Sequence, residues 1–146
     1  IGNNLKSYAA EQEYADSIIE KEKNLSWFHT YPAQPKEQLC QSLREHDIFA
    51  LFSFQETFGL SYLEALSQGL PIVYTNKEGF DGTYEEGLVG YGGDANDVGS
   101  MASALQKCID NYSTLNHNLS NLNLEEFRWS NIAAVYKKLY ESLLIK

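Results

Sequence analysis

Cysteine is scarce: Cys40 and Cys108 stand far apart, with no C-x-x-C and no histidine cluster beside them. That excludes a disulfide scaffold or a thiolate zinc site, and leaves two reduced thiols buried as small hydrophobes. A reducing compartment fits, so the chain reads as cytoplasmic. Basic residues are also few, 11 against 20 acidic ones, for a net charge of −9. Nucleic-acid surfaces need a basic stripe to meet phosphates, so no nucleic-acid partner is expected. No apolar run approaches the roughly 20 residues that cross a bilayer. The first residues do not resemble a signal peptide, and the sequons at Asn24, Asn111 and Asn118 would matter only in a secreted chain. No Ser/His/Asp or Cys/His nucleophile set is legible, and no set of metal ligands.

What is there suits one globular domain over residues 1–146: 43% hydrophobic residues, with ten Tyr and seven Phe, leave little room for disorder. The opening Ile-Gly, without Met, reads like the end of a strand and suggests a piece of a longer protein. Tyr8, Ala9, Tyr14, Ala15, Ile18 and Ile19 then recur at helical spacing. Leu25–Phe28 ("LSWF") is a strand candidate. Pro35 suits the first turn of a helix carrying Leu39, Cys40 and Leu43 on one face. Asp47–Phe54 ("DIFALFSF") is almost unbroken apolar sequence, as expected of a strand covered on both faces.

A helical period starting near Phe58 ends at Gly69. "LPIVYT" is a second buried strand and "LVGY" a third, after a Gly-rich loop. Asp94 and Asn96 are candidate N-caps for the next helix, a weaker helix follows, and Ser130 is a candidate cap for the last. Trp27, Trp129, Tyr136 and Tyr140 read as core or helix-packing residues, His46 and His117 as exposed, Arg44 and Arg128 as surface or structural. Strands alternate with helices to about residue 92, and helices follow. The fold class is therefore α/β: a doubly wound, Rossmann-like parallel sheet with C-terminal helices.

In such sheets ligands bind beyond the carboxyl ends of the strands. "DIFALFSF" ends there and the next helix opens there, placing the amides of Thr57, Phe58, Gly59 and Leu60 at its positive end, a spot suited to phosphate. Gly59 would let a ligand approach the backbone. Glu56 and Glu64 flank that helix mouth; eight helical residues rise about 12 Å, so the two carboxylates would meet one ligand at two points. A molecule with hydroxyls at both ends and a diphosphate between suits the spacing. Carboxylates accept well from vicinal sugar hydroxyls. The plainer reading keeps Glu56 as a dipole-complementing or capping residue and Glu64 as part of a solvated face.

The run "ETFGLSYLEALSQGLPIV" resembles the E-x-F-G-x-x-x-x-E-A-x-x-x-G-x-P-V/I-V signature of retaining GT-B glycosyltransferases of family four, in their C-terminal, donor-binding half. "NLSWFHTYPAQPKEQLCQSLREHDIFALFS" resembles that family's lead-in, and "EFRWSNIAAVYKKLY" its closing F-x-W-x-x-x-A-x-x-Y segment. The resemblance implies a nucleoside-diphosphate sugar donor and transfer of a hexosyl group with retention to a glycan or lipid acceptor. Glu56 would hold the donor sugar, the amides of Phe58, Gly59 and Leu60 the sugar and diphosphate, and Glu64 the ribose. His29, Thr30 and Tyr31 would lie near the base. No metal or other cofactor is implied, and no D-x-D motif is present. The acceptor-binding half and the cationic pair that neutralises the diphosphate would lie upstream of this chain, as would any membrane contact. A non-catalytic nucleotide-binding module, or another GT-B enzyme such as an epimerase, are the alternatives. Two departures stand out: His29 where the family often has Gly, and "EGFDG" (Glu78 to Gly82) where it has G-G-x-x-E.

Overall fold

A computed structural model describes the backbone of residues 2–144 and the side chains of residues 12–144. Ile1 lies outside the described residues, and the side chains of Tyr8 and Ala9 lie outside the described side chains. The chain divides into two compact units, residues 1–35 and 36–146.

The first unit is helix α1, Gly2–Glu22, followed by turns. Gly2 is already helical, so the start is not strand-like. Nor is Leu25–Phe28 a strand. The amides of Leu25 and Phe28 donate to the carbonyls of Glu22 (2.9 Å) and Leu25 (3.1 Å), three residues back. Those turn bonds take up groups that a strand would offer to a neighbour. Trp27, expected in a core, is 73% exposed, its ring edge-on to Phe28.

The second unit holds the sheet. Helix α2 (Lys36–Arg44) precedes β1 (Phe49–Ala50), α3 (Leu60–Ser67), β2 (Ile72–Thr75) and β3 (Gly90–Gly93). Helices α4 (Val98–Asp110) and α5 (Tyr112–Ser120), a 3-10 turn (Glu125–Phe127) and α6 (Trp129–Leu144) complete it. The strands are parallel in the order β1-β2-β3, with Phe49 opposite Ile72 and Ile72 opposite Gly90.

Central β2 is buried at all four positions. Its alternate side chains feed two cores, because successive strand residues point to opposite faces. Ile72 and Tyr74 join Leu43 of α2, Tyr62, Ala65 and Leu66 of α3, and Leu119 of α5. Val73 joins Ala104 and Cys108 of α4 and Leu115 of α5. Helices thus cover both faces, the doubly wound α/β layout of a Rossmann-like half of a GT-B fold.

Some boundaries differ from expectation. In the "DIFALFSF" run only Phe49 and Ala50 form regular strand. The third strand begins two residues later than read, at Gly90. The N-cap of α4 is Asp97, whose carboxylate accepts the Gly99 N–H at 2.8 Å, rather than Asp94 or Asn96. Asp94 instead accepts the Asn96 N–H (2.8 Å), closing the turn before that cap; this bond holds its carboxyl below the usual range. Helix α6 starts at Trp129, so Ser130 lies within its first turn rather than at the cap.

Trp129 is 78% exposed, and Tyr136 and Tyr140 are also exposed, against the core reading. Val135, Tyr136, Leu139, Tyr140 and Leu143 make a continuous outward-facing stripe, and no residue of α6 is buried. His46 and His117 are exposed as expected. Arg44 reaches Gln68 and Arg128 pairs with Glu125 at the surface. Cys108 is fully buried, whereas Cys40 is half-buried.

Candidate functional site

The sheet's carboxyl edge carries the segment between β1 and α3, residues 51–59. It leaves the ladder after the Leu51 N–H donates to the Val73 carbonyl (3.0 Å). From there side chains hold it. The buried Tyr62 hydroxyl donates to the Leu51 carbonyl (2.7 Å), and the Thr75 hydroxyl to the Ser53 carbonyl (3.0 Å). Farther out, the Glu56 N–H donates to Glu78 Oε2 (3.0 Å) and the Gly79 N–H donates to the Glu56 carbonyl (3.1 Å). Each bond satisfies a backbone group that has left the sheet.

The helix mouth lies two residues later than the sequence suggests. Thr57, Phe58 and Gly59 precede α3, which begins at Leu60, with Gly59 as N-cap in the left-handed conformation (φ 85°). Gly59 provides no side-chain cap, and the amides of Leu60 and Ser61 have no intrahelical acceptor, so they carry the positive end of the helix dipole. At its other end, Gly69 N–H donates to Leu66 and Leu70 N–H to Ala65, closing the helix where expected.

Glu56 and Gly59 are brought together: a β-carbon on Gly59 would lie 3.4 Å from Glu56 Cγ and 2.3 Å from the Tyr62 ring. Gly59 is therefore required first by its backbone and by Tyr62, before any ligand. Burial raises the Tyr62 hydroxyl pKa, and the Glu56 charge nearby adds to the rise.

Glu64 lies on α3, half-buried, its carboxylate 3.2 Å from Lys36 Nζ at the start of α2. With Phe58, Leu60, Arg128 and Trp129 the pair lines a largely apolar groove of about 700 Å³. Glu56 and Thr57 do not line it. A second cavity, about 320 Å³, opens at the strand ends among Phe54, Thr75, Lys77, Glu78, Asp94 and Asn96. His29, Thr30 and Tyr31 belong to the first unit, exposed around a cavity of about 280 Å³ shared with Ile19, Lys23 and Phe28. The structure therefore gathers Glu56, Gly59 and the start of α3 in one place, with Glu64 farther along that helix. Among the described residues no group of three or more His, Cys, Asp or Glu is placed to hold a metal ion, and no helix is long and apolar enough to cross a membrane.

A family model described as glycosyl transferases group 1 matches residues 2–123. The chain belongs to that family. Its relatives include a D-inositol 3-phosphate glycosyltransferase of Paenarthrobacter aurescens, 31% identical over 97% of this chain and 34% of the relative. Another is a D-inositol 3-phosphate glycosyltransferase of Corynebacterium kroppenstedtii, 30% identical over 77% of this chain and 26% of the relative. A third is an N-acetyl-alpha-D-glucosaminyl L-malate synthase of Bacillus anthracis, 28% identical over 75% of this chain and 29% of the relative. The chain thus spans about a third or less of the length of these relatives.

The sequence marks Glu78–Gly82 as a departure from the family pattern but states no contact for it. Its contact is the backbone of Glu56. Lys36 and Thr75 were also missed. A polar residue closing an apolar strand was the available signal for Thr75. For Lys36 the sequence offers none, since its partner lies 28 residues away across two helices.

Proposed function

We propose that this glycosyltransferase-family chain is the donor-binding half of an enzyme that transfers a hexosyl group from a nucleoside-diphosphate sugar to an acceptor hydroxyl, with retention. The observation that carries the reading is the apposition of the Glu56 side chain, Gly59 and the uncapped start of α3 beyond the carboxyl end of β1. In this reading the Leu60 and Ser61 amides, with those of Phe58 and Gly59, receive the diphosphate. They face the charge that grows as the bond from the anomeric carbon to the diphosphate oxygen breaks. The acceptor oxygen forms the new bond to that carbon, and its proton leaves to the departing diphosphate. Glu56 accepts hydrogen bonds from the sugar hydroxyls and fixes the ring for attack.

Glu64 takes the ribose hydroxyls. Its ion pair with Lys36 is no obstacle, since exposed pairs contribute only about 0–1 kcal/mol. Lys36 would then be free to turn toward a phosphate. Thr57 completes the strand-end loop, and His29, Thr30 and Tyr31 of the first unit recognise the base. The exposed stripe of α6 meets the acceptor half, and the acceptor is a glycan or lipid of polysaccharide or glycolipid assembly in the cytoplasm. No metal takes part in this scheme.

Calorimetric titration of the full-length protein with UDP-glucose, UDP-N-acetylglucosamine and GDP-mannose tests it. One donor is expected to bind, and Glu64→Ala to weaken it about tenfold or more, as for a hydrogen bond to a charged group. Binding of none, or equal affinity in the variant, would overturn the assignment.

A further inference from the structure

We infer that Glu78 is a positioning residue for Glu56, and that the Glu78–Gly82 loop is the device that aims the carboxylate at the donor sugar. The inference rests on the reading of Glu56 given above.

Glu56 sits on irregular chain beyond the sheet, where no ladder fixes its peptide planes. The loop from β2 grips it on both sides: Glu78 Oε2 accepts its N–H at 3.0 Å, and the Gly79 N–H donates to its carbonyl at 3.1 Å. With both backbone groups of one residue held, its Cα–Cβ direction is held too. The grip depends on close approach. A β-carbon on Gly79 would lie 2.5 Å from the Thr57 carbonyl carbon and oxygen, and 2.6 Å from the Phe58 nitrogen. These are backbone atoms and cannot swing aside.

The loop is itself anchored. The Lys77 N–H donates to Asp81 Oδ2 (2.7 Å), and the Asp81 N–H to the Glu78 carbonyl (2.8 Å). Phe80, 2% exposed, packs on the Tyr62 ring at 5.1 Å and near Phe58 at 6.2 Å. The same core that seats α3 therefore seats the loop that grips Glu56.

A single N–H needs only a neutral acceptor. What Glu78 contributes is therefore reach and an acceptor oxygen, and its charge is incidental. Two variants separate these. Glu78→Gln keeps the reach and an acceptor oxygen without the charge. Glu78→Asp keeps the charge and withdraws it by one methylene.

The test measures nucleoside diphosphate release by the full-length protein with UDP-glucose, UDP-N-acetylglucosamine and GDP-mannose as probes. In Glu78→Asp, kcat is expected to fall about 10- to 100-fold, the scale of a misplacement near 1 Å, with the donor KM within about twofold. Glu78→Gln should stay within about threefold of the parent. The Glu56→Gln/Glu78→Asp pair should be no slower than Glu56→Gln alone, since a residue acting through Glu56 has nothing left to aim. Equal loss in Glu78→Gln and Glu78→Asp, a loss confined to KM, or additive losses in the pair would overturn the inference. Unimpaired Glu56→Gln, or no turnover of any probe, would instead sink the reading of the site beneath it. The two failures are thus distinguishable.

Discussion

At Gly59 three demands meet on one residue. The backbone is left-handed, a β-carbon would lie 2.3 Å from the Tyr62 ring, and the Glu56 side chain lies over the same spot. The Tyr62 ring is 1% exposed and set among Phe49, Tyr74 and Phe80, so it has little room to retreat. Gly59→Ala is expected to cost about 1–2 kcal/mol for the backbone conformation and about 1–3 kcal/mol for overpacking. Urea unfolding measures it; a loss under about 0.5 kcal/mol would mean that the turn relaxes freely. The motif glycine was legible in the sequence, but its reason was not. Room for a ligand is what a Gly beside a helix start suggests, whereas the nearest obstacle is a core ring three residues on. Contacts of that kind depend on which way a side chain turns back under its own helix, and spacing does not state it.

At the scale of elements, the informative piece is the segment after β1. Eight apolar-rich residues predict a long buried strand, yet regular pairing stops after two. The chain beyond is anchored by hydroxyls: Tyr62 on Leu51 and Thr75 on Ser53. Thr75 is 6% exposed, and its bond satisfies a carbonyl that the ladder has abandoned. Thr75→Val keeps the shape and removes the donor, and should lower stability by about 0.5–1.5 kcal/mol while leaving the denaturant slope unchanged. An unchanged urea midpoint would show that water replaces the hydroxyl at no cost. Hydropathy overstated both burial and pairing here: no residue of the run is fully buried and Phe54 is 68% exposed, because β1 is an edge strand and apolar residues line both a strand and the loop that prolongs it. The same limit explains α6. Its apolar spacing, with Val135, Tyr136, Leu139, Tyr140 and Leu143 on one side, marks a face without saying what covers it, and in this chain that face is exposed.

Over the whole second unit, the two faces of the sheet each hide a weak acid whose proton burial holds more tightly, and this makes the double winding measurable. On one face burial pushes Tyr74 up to about 12 from 10.0, with the Asp81 and Glu86 charges adding to the rise. On the other, burial alone pushes Cys108 up to about 11 from 9.0. A raised folded-state value means that the folded chain holds its proton where the unfolded chain has released it. The contribution is therefore present in full below the unfolded value and lost as pH rises through the folded one.

For Cys108 the loss starts near pH 9 and runs through about 11; for Tyr74 it starts near 10 and runs through about 12. Tyr62 and Tyr84, also raised by burial, act in the same direction. So does the growing self-repulsion of a chain already at −9. Urea midpoints should hold steady from pH 7 to 9 and then fall. Cys108→Ala should lower the baseline but flatten the fall between pH 9 and 10, whereas Tyr74→Phe should flatten it only above 10. If neither substitution changed the slope, alkaline unfolding would be governed by surface repulsion rather than by the two cores. A shared early onset in both variants would mean that the two faces do not titrate as separate compartments. The alternation of strands and helices predicts two covered faces, and these two side chains would report each of them.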